Sequence, residues 1–150
     1  MTAERKRRHL RILELISTRP VRTQEELVDI LSAEGWEVTQ SSVSRDIAAL
    51  RLVKVDGAYR RAARELPRAA SPDELRIAEG VLGLDVAGEH LVIVRTAPGE
   101  ANRVAVAIDR LAWPEVVGTI AGDDTIFIAV RDVRAQRGAL SHIRRLTGQR

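Results

Sequence analysis

Thr39-Gln40-Ser41-Ser42-Val43-Ser44-Arg45-Asp46-Ile47-Ala48-Ala49-Leu50, followed closely by Leu52-Val53-Lys54-Val55-Asp56-Gly57-Ala58-Tyr59-Arg60-Arg61, is the stretch on which the fold turns. Val43, Ile47 and Leu50 recur at i, i+4 and i+7, which predicts a helix starting near Thr39 or Gln40 with one buried stripe. Its opposite face, Ser41, Ser44, Arg45 and Ala48, is small, polar and cationic. The next segment is two short β-prone runs around Asp56-Gly57, a pair that favours the tight turn of a hairpin because both residues tolerate positive φ.

Upstream, Ile12, Leu13, Leu15 and Ile16 mark the apolar side of a first helix that Thr18 to Pro20 ends. Thr23-Gln24-Glu25-Glu26 has the form of a capping box, and Leu27, Ile30 and Leu31 continue it at helical spacing. Glu34-Gly35-Trp36-Glu37 then interrupts the pattern. Three helices and a hairpin make a winged helix-turn-helix. A major groove admits one helix, and short Ser side chains let its backbone approach while Arg45 reaches a phosphate or a guanine edge. A merely solvated face would carry the same residue types, so the face acquires meaning only together with the capped preceding helix, the tight turn and the basic hairpin.

Downstream, Leu66-Pro67-Arg68-Ala69-Ala70-Ser71-Pro72-Asp73-Glu74 has two prolines, small residues and no apolar period, and reads as a linker. The chain therefore divides into a winged-helix domain over 1–66, a linker over 67–74 and a second domain over 75–150. In that domain Val81 to Val86 and His90 to Val94 read as strands around Ala87-Gly88-Glu89. Gly99 to Ala112 reads as a helix with Val104, Ala105, Ile108 and Leu111 on its core side. Val106 lies on its other side between Asn102 and Asp109, as a subunit interface, a ligand site or a solvated face would place it. Strands over Val116 to Ile120 and Thr125 to Val130 enclose Ala121-Gly122-Asp123-Asp124, and a last helix carries Val133, Leu140, Ile143 and Leu146. The expected class is α+β with two domains, the second an α/β layer of a four-stranded antiparallel-type sheet and two helices.

Composition narrows the functions. The chain has 150 residues, 45% hydrophobic and 30% charged, enough to bury a core and too apolar for a disordered polyampholyte. At 3% aromatic residues, stacking of bases on an aromatic platform is disfavoured. The absence of cysteine excludes disulfides, thiolate zinc sites and a Cys nucleophile. With no apolar stretch resembling a signal peptide or membrane span, a cytoplasmic location and no membrane partner are expected. Net charge is +3, and all of the excess lies before Pro67, where 13 Lys and Arg face 10 Asp and Glu, a possible phosphate footprint. His9, His90 and His142 read as surface or structural residues, and no catalytic nucleophile stands out.

Adjacent carboxylates at a turn between strands can cap the turn, coordinate a hard cation or hold a cationic ligand. Turn capping is the ordinary use. Metal ranks last, because apart from Asp109 no oxygen partner is near in sequence, and none is expected. A guanidinium or ammonium group suits Asp123 and Asp124 better, since carboxylates accept paired, charge-assisted hydrogen bonds from such donors. That points towards an amino-acid ligand.

Gly118-Thr119-Ile120-Ala121-Gly122-Asp123-Asp124-Thr125-Ile126 resembles the ligand-site motif of bacterial arginine repressors. Thr39-Gln40-Ser41-Ser42-Val43-Ser44-Arg45-Asp46 resembles the start of their recognition helix, and Thr96-Ala97-Pro98-Gly99 ahead of Asn102 and Asp109 also matches. The resemblance implies a homo-hexamer of two stacked trimers, with L-arginine as corepressor between them and double-stranded palindromic operator DNA as partner. It also implies control of arginine biosynthesis and catabolism genes. Carried over position by position, Asp123 and Asp124 hold the cationic groups of arginine, and Asn102 and Asp109 complete the polar lining. Thr119 and Ala121 contribute hydroxyl or backbone contacts. On the DNA side Ser41, Ser44 and Arg45 match reading positions, with Gln40 and Ser42 as flanking support. Two other readings remain: an amino-acid-binding enzyme using Asp109, Asp123 and Asp124, and a winged helix that binds protein rather than DNA.

Overall fold

The computed structural model describes residues 3–62 and 70–149, and the chain separates into two compact units, Met1–Ala63 and Arg64–Arg150. In the first unit, α1 (Ala3–Thr18), α2 (Gln24–Ala33) and α3 (Gln40–Ala49) precede the hairpin of β1 (Leu52–Val55) and β2 (Ala58–Arg61). Thr23 caps α2 by accepting the Glu26 N–H. Only half of the expected capping box forms there, because the Glu26 carboxylate accepts the Arg22 N–H instead. Thr39 and Ser42 form a complete box at α3. The hairpin turn has φ of 51° at Asp56 and 78° at Gly57, both left-handed, as its two-residue connection requires. Ile12, Ile16, Leu27, Leu31, Val43 and Ile47 form the centre of this unit's core. The wing is fastened to it by Tyr59 N–H to Val21 O (2.7 Å) and Arg60 Nη1 to Ile16 O (2.7 Å).

The second unit begins with α4 (Pro72–Gly80) and continues through β3 (Gly83–Ala87), β4 (Leu91–Arg95), α5 (Ala101–Arg110), β5 (Val116–Ala121), β6 (Thr125–Val130) and α6 (Val133–Thr147). The four strands lie in the order β3-β4-β6-β5 with every neighbouring pair antiparallel. Val92 and Val94 of β4 and Ile126 and Ile128 of β6 share one core with Ile77, Val104, Ile108 and Ile143, so all three helices cover one face of the sheet. On the other face Ile93, Phe127 and Ile120 sit opposite one another across three strands, and Phe127 and Ile120 are 48% and 76% exposed.

The two expected helices are present as α5 and α6, and α4 is an addition. Of the expected linker 67–74, residues 67–69 lie outside the described residues, and 72–74 form the first turn of α4. The physical reason is local. Ser71 accepts the Glu74 N–H, Glu74 accepts the Ser71 N–H, and Pro72 occupies the first turn, where a missing N–H costs nothing. Prolines and small residues thus serve here as a helix start. Ile77, fully buried, is the only residue of α4 wholly sealed in the core, so the helix offers little apolar period to be seen.

Candidate functional site

The first candidate is the outer face of α3. Gln40, Ser41, Ser44, Arg45 and Ala48 are exposed, whereas Val43 and Ile47 are buried on the opposite side. Arg45 is held along the helix by its Nε, which donates to Ser41 O at 3.2 Å. Ser42 differs from its neighbours: its Oγ accepts the Thr39 N–H and donates to Thr39 O, both at 2.9 Å, so it is half-buried in the cap. On the wing, Arg60 is turned inward to α1, and Lys54 lies over the Tyr59 ring at 5.4 Å from its centroid.

Behind this face sits a group that the sequence analysis did not single out. Asp46 is 1% exposed and is surrounded by side chains of α1. Arg8 Nε donates to its Oδ2 at 2.7 Å, His9 Nε2 lies 2.8 Å from Oδ1, and Arg5 Nε donates to Oδ1 at 3.4 Å. Burial by itself opposes ionisation of this carboxyl. The hydrogen bonds and charges of Arg8 and His9 outweigh burial and hold the Asp46 pKa below the ordinary aspartate value.

The second candidate runs along α5 and the adjoining strand β5. Asn102, Val106 and Asp109 lie on the exposed side of α5, with Val104, Ala105 and Ile108 in the core. Thr119 Oγ1 donates to the Asp109 carboxylate, 2.9 Å from each oxygen, so these two predicted residues meet. Asp123 lies at the opposite end of α5. Its backbone carbonyl accepts the N–H groups of Gly99 (3.0 Å) and Ala101 (3.3 Å), and its Oδ1 accepts Gly99 N–H again at 3.1 Å. Gly99 has φ of 80°, and with it the loop before α5 folds onto Asp123. Asn102 follows directly, beside Arg76, Arg103 and Val106 in a shallow cavity of about 210 Å³.

Asp124 has other partners. Its Oδ1 accepts from Thr125 Oγ1 at 2.6 Å, the same hydroxyl accepts from Arg95, and its carbonyl accepts Thr96 N–H at 2.8 Å. The two neighbouring carboxylates are therefore tied to different elements. Ala121 packs its side chain against the core and pairs with Ile126. Asn102, Asp109 and Asp123 are all exposed, so within one chain these residues line an open surface. Among the described residues no helix is long and apolar enough to cross a membrane.

A cationic, exposed helix face with a wing in one unit, and a carboxylate-bearing antiparallel sheet layer in the other, define a two-domain winged-helix protein. Comparison with known proteins makes this specific. Residues 3–69 match the family model described as arginine repressor, DNA binding domain, and residues 77–145 match arginine repressor, C-terminal domain. Relatives named arginine repressor include one from Symbiobacterium thermophilum, 48% identical over 86% of this chain and 89% of its own. Another from Caldicellulosiruptor bescii is 46% identical over 95% and 96%, and one from Lachnospira eligens is 45% identical over 93% and 95%. The chain belongs to the arginine repressor family.

Proposed function

We propose that this protein is an arginine-responsive transcriptional regulator of the cytoplasm, and not an enzyme, which binds palindromic operator DNA with L-arginine as corepressor and controls genes of arginine biosynthesis and catabolism. The observation that carries the DNA half is the exposure of Gln40, Ser41, Ser44 and Arg45 on a helix whose other side is core. Ser42 supports that face indirectly, by fixing the first turn of the helix.

Asp123 and Asp124 take the cationic groups of arginine, with Asn102, Asp109, Thr119 and the Ala121 backbone completing the lining. No metal takes part. Because these groups line an open surface, a ligand is enclosed only when copies of the second domain meet. The favoured assembly is a homo-hexamer of two stacked trimers with arginine between them. The exposed Ile120 and Phe127 fit an assembling domain. Asp109 already accepts from Thr119 and Asp123 from Gly99, so the carboxylates are oriented before the ligand arrives.

Arginine that stabilises the assembly raises the number of winged helices held near paired half-sites, and by linkage DNA tightens arginine binding by the same factor. Such coupling is typically about 5–150-fold. Fluorescence anisotropy on a palindromic promoter duplex, with and without arginine, lysine, ornithine or citrulline and with assembly mass followed in parallel, tests this. Tightening by arginine in that range, with binding that weakens steeply in salt, is expected. Duplex binding indifferent to arginine would overturn the corepressor reading, and the absence of salt-sensitive duplex binding would overturn the DNA reading.

A further inference from the structure

We infer that Asp46 is a specificity-determining positioning residue: through Arg8 and His9 of α1 it sets the rotation of α3, and so decides which side chains of that helix face the bases. The inference rests on the DNA-reading role of α3. Val43, Asp46, Ile47 and Leu50 stand at i, i+3, i+4 and i+7, so a carboxylate occupies one position of the buried stripe. Apolar contacts at the other positions tolerate small rotations. Hydrogen bonds do not, and Asp46 makes them with both oxygens, 2.7 Å to Arg8 Nε and 2.8 Å to His9 Nε2, with Arg5 Nε at 3.4 Å. All three partners come from α1, so the carboxylate ties the reading helix to one neighbouring element in one orientation.

Stability alone does not account for such a group. A buried ion pair is often no more stabilising than apolar residues of the same volume, and its best attested use is to select one register. Base readout requires that selection, because a good side-chain contact discriminates only while the donor stays within hydrogen-bond reach of a base edge. Arg45 and Ser44 directly precede Asp46 in the same helix, so its rotation carries them with it.

Removing the carboxylate has opposite consequences for the two components of DNA affinity. Asp46→Asn deletes one negative charge from a DNA-binding domain, and by electrostatics alone this strengthens sequence-independent binding. Loss of positioning weakens only the specific component. The test uses the full-length protein with arginine and two labelled duplexes, one enriched by the unaltered protein from a randomised pool and the other a scrambled version. Anisotropy is read at several salt concentrations, and circular dichroism confirms folding.

For Asp46→Asn the ratio of the two affinities should fall at least ten-fold while scrambled-duplex binding is unchanged or tighter. Asp46→Glu, which keeps the charge, should recover part of the ratio. A folded variant whose ratio stays within two-fold of the unaltered protein overturns the inference, as does a parallel loss of both affinities that tracks thermal stability. If Asp46→Asn does not fold, His9→Leu decides by the same two criteria, since it removes one donor and leaves the Arg8 pair. Failure of the unaltered protein to enrich any duplex would refute the DNA reading itself and is a separate outcome.

Discussion

Replacing Asp123 by asparagine and by alanine separates the two jobs its carboxylate can do. Inside the chain Oδ1 accepts the Gly99 N–H at 3.1 Å and so pins the loop that leads into α5. A hydrogen bond of this kind contributes about 0.5–1.5 kcal/mol. Asparagine retains a side-chain carbonyl oxygen for that N–H, and alanine leaves it only the backbone carbonyl of residue 123, 3.0 Å away. Without ligand, Asp123→Ala should therefore lower the melting temperature by roughly 4–8 °C per kcal/mol lost, the scale for a domain of this size, while Asp123→Asn should melt near the unaltered protein. Arginine binding sorts the variants differently, because both lose the negative charge. Truncating one member of an enclosed, hydrogen-bonded charge pair costs about 2–5 kcal/mol, which is about 30-fold to several-thousand-fold in Kd. Asparagine is thus the diagnostic variant, with its loop intact and its affinity lost. Calorimetric titration with L-arginine and thermal melting followed by circular dichroism read the two effects independently. Asp123→Asn binding arginine within two-fold of the unaltered protein would reduce Asp123 to a turn cap and remove it from the ligand site.

Two further outcomes test the fold around each site. Gly57 stands at φ of 78° with nothing within 4 Å of an added Cβ, so Gly57→Ala should destabilise the wing through backbone strain alone, by about 1–2 kcal/mol in thermal unfolding. Gly118, equally unobstructed but without positive φ, should tolerate alanine with no loss. The depressed pKa of Asp46 fixes the sign of a pH effect on the first unit. Its contribution is present above the unfolded aspartate value of about 3.9 and is lost as the pH falls through the lower folded value. Acid unfolding followed by Trp36 fluorescence in a variant lacking Trp113 should show this loss below about pH 4. Asp46→Asn should lack that part of the transition.

The elements that carry function were legible because each is written in neighbouring residues. Thr39 and Ser42 are three apart, Val43 and Ile47 four, and Asp56 and Gly57 adjacent, and each spacing corresponds to one hydrogen bond, one helical turn or one tight turn. The sheet was legible for the same reason, as β3 and β4 are joined by a short turn at Gly88 and β5 and β6 by the loop bearing Asp123 and Asp124. Helix α4 was not, because a capping box and an N-terminal proline use the same residue types as a linker and only Ile77 is fully buried. The partners of the two aspartates were not legible either. Gly99 and Asp123 are far apart in sequence, and no local pattern states that a loop ahead of one helix folds onto a turn between two strands.

Asp46 shows what a binary reading of hydrophobic and polar positions loses. Its place in the period, three residues after Val43 and four before Leu50, assigns it to the buried side of α3, whereas its charge assigns it to solvent. The conflict is itself informative, since a carboxylate enters a core only where cations meet it. Its counter-charges were present in the sequence as Arg5 and Arg8, beside His9, which read as a surface or structural residue. Arg8 and His9 are instead mostly buried, with Arg8 Nε and His9 Nε2 on the Asp46 carboxylate. A charge that breaks the apolar period of a recognition helix is thus a prompt to look for its counter-charge in a preceding helix. The separation of 38 residues between Arg8 and Asp46 is why only the folded chain reveals the pair.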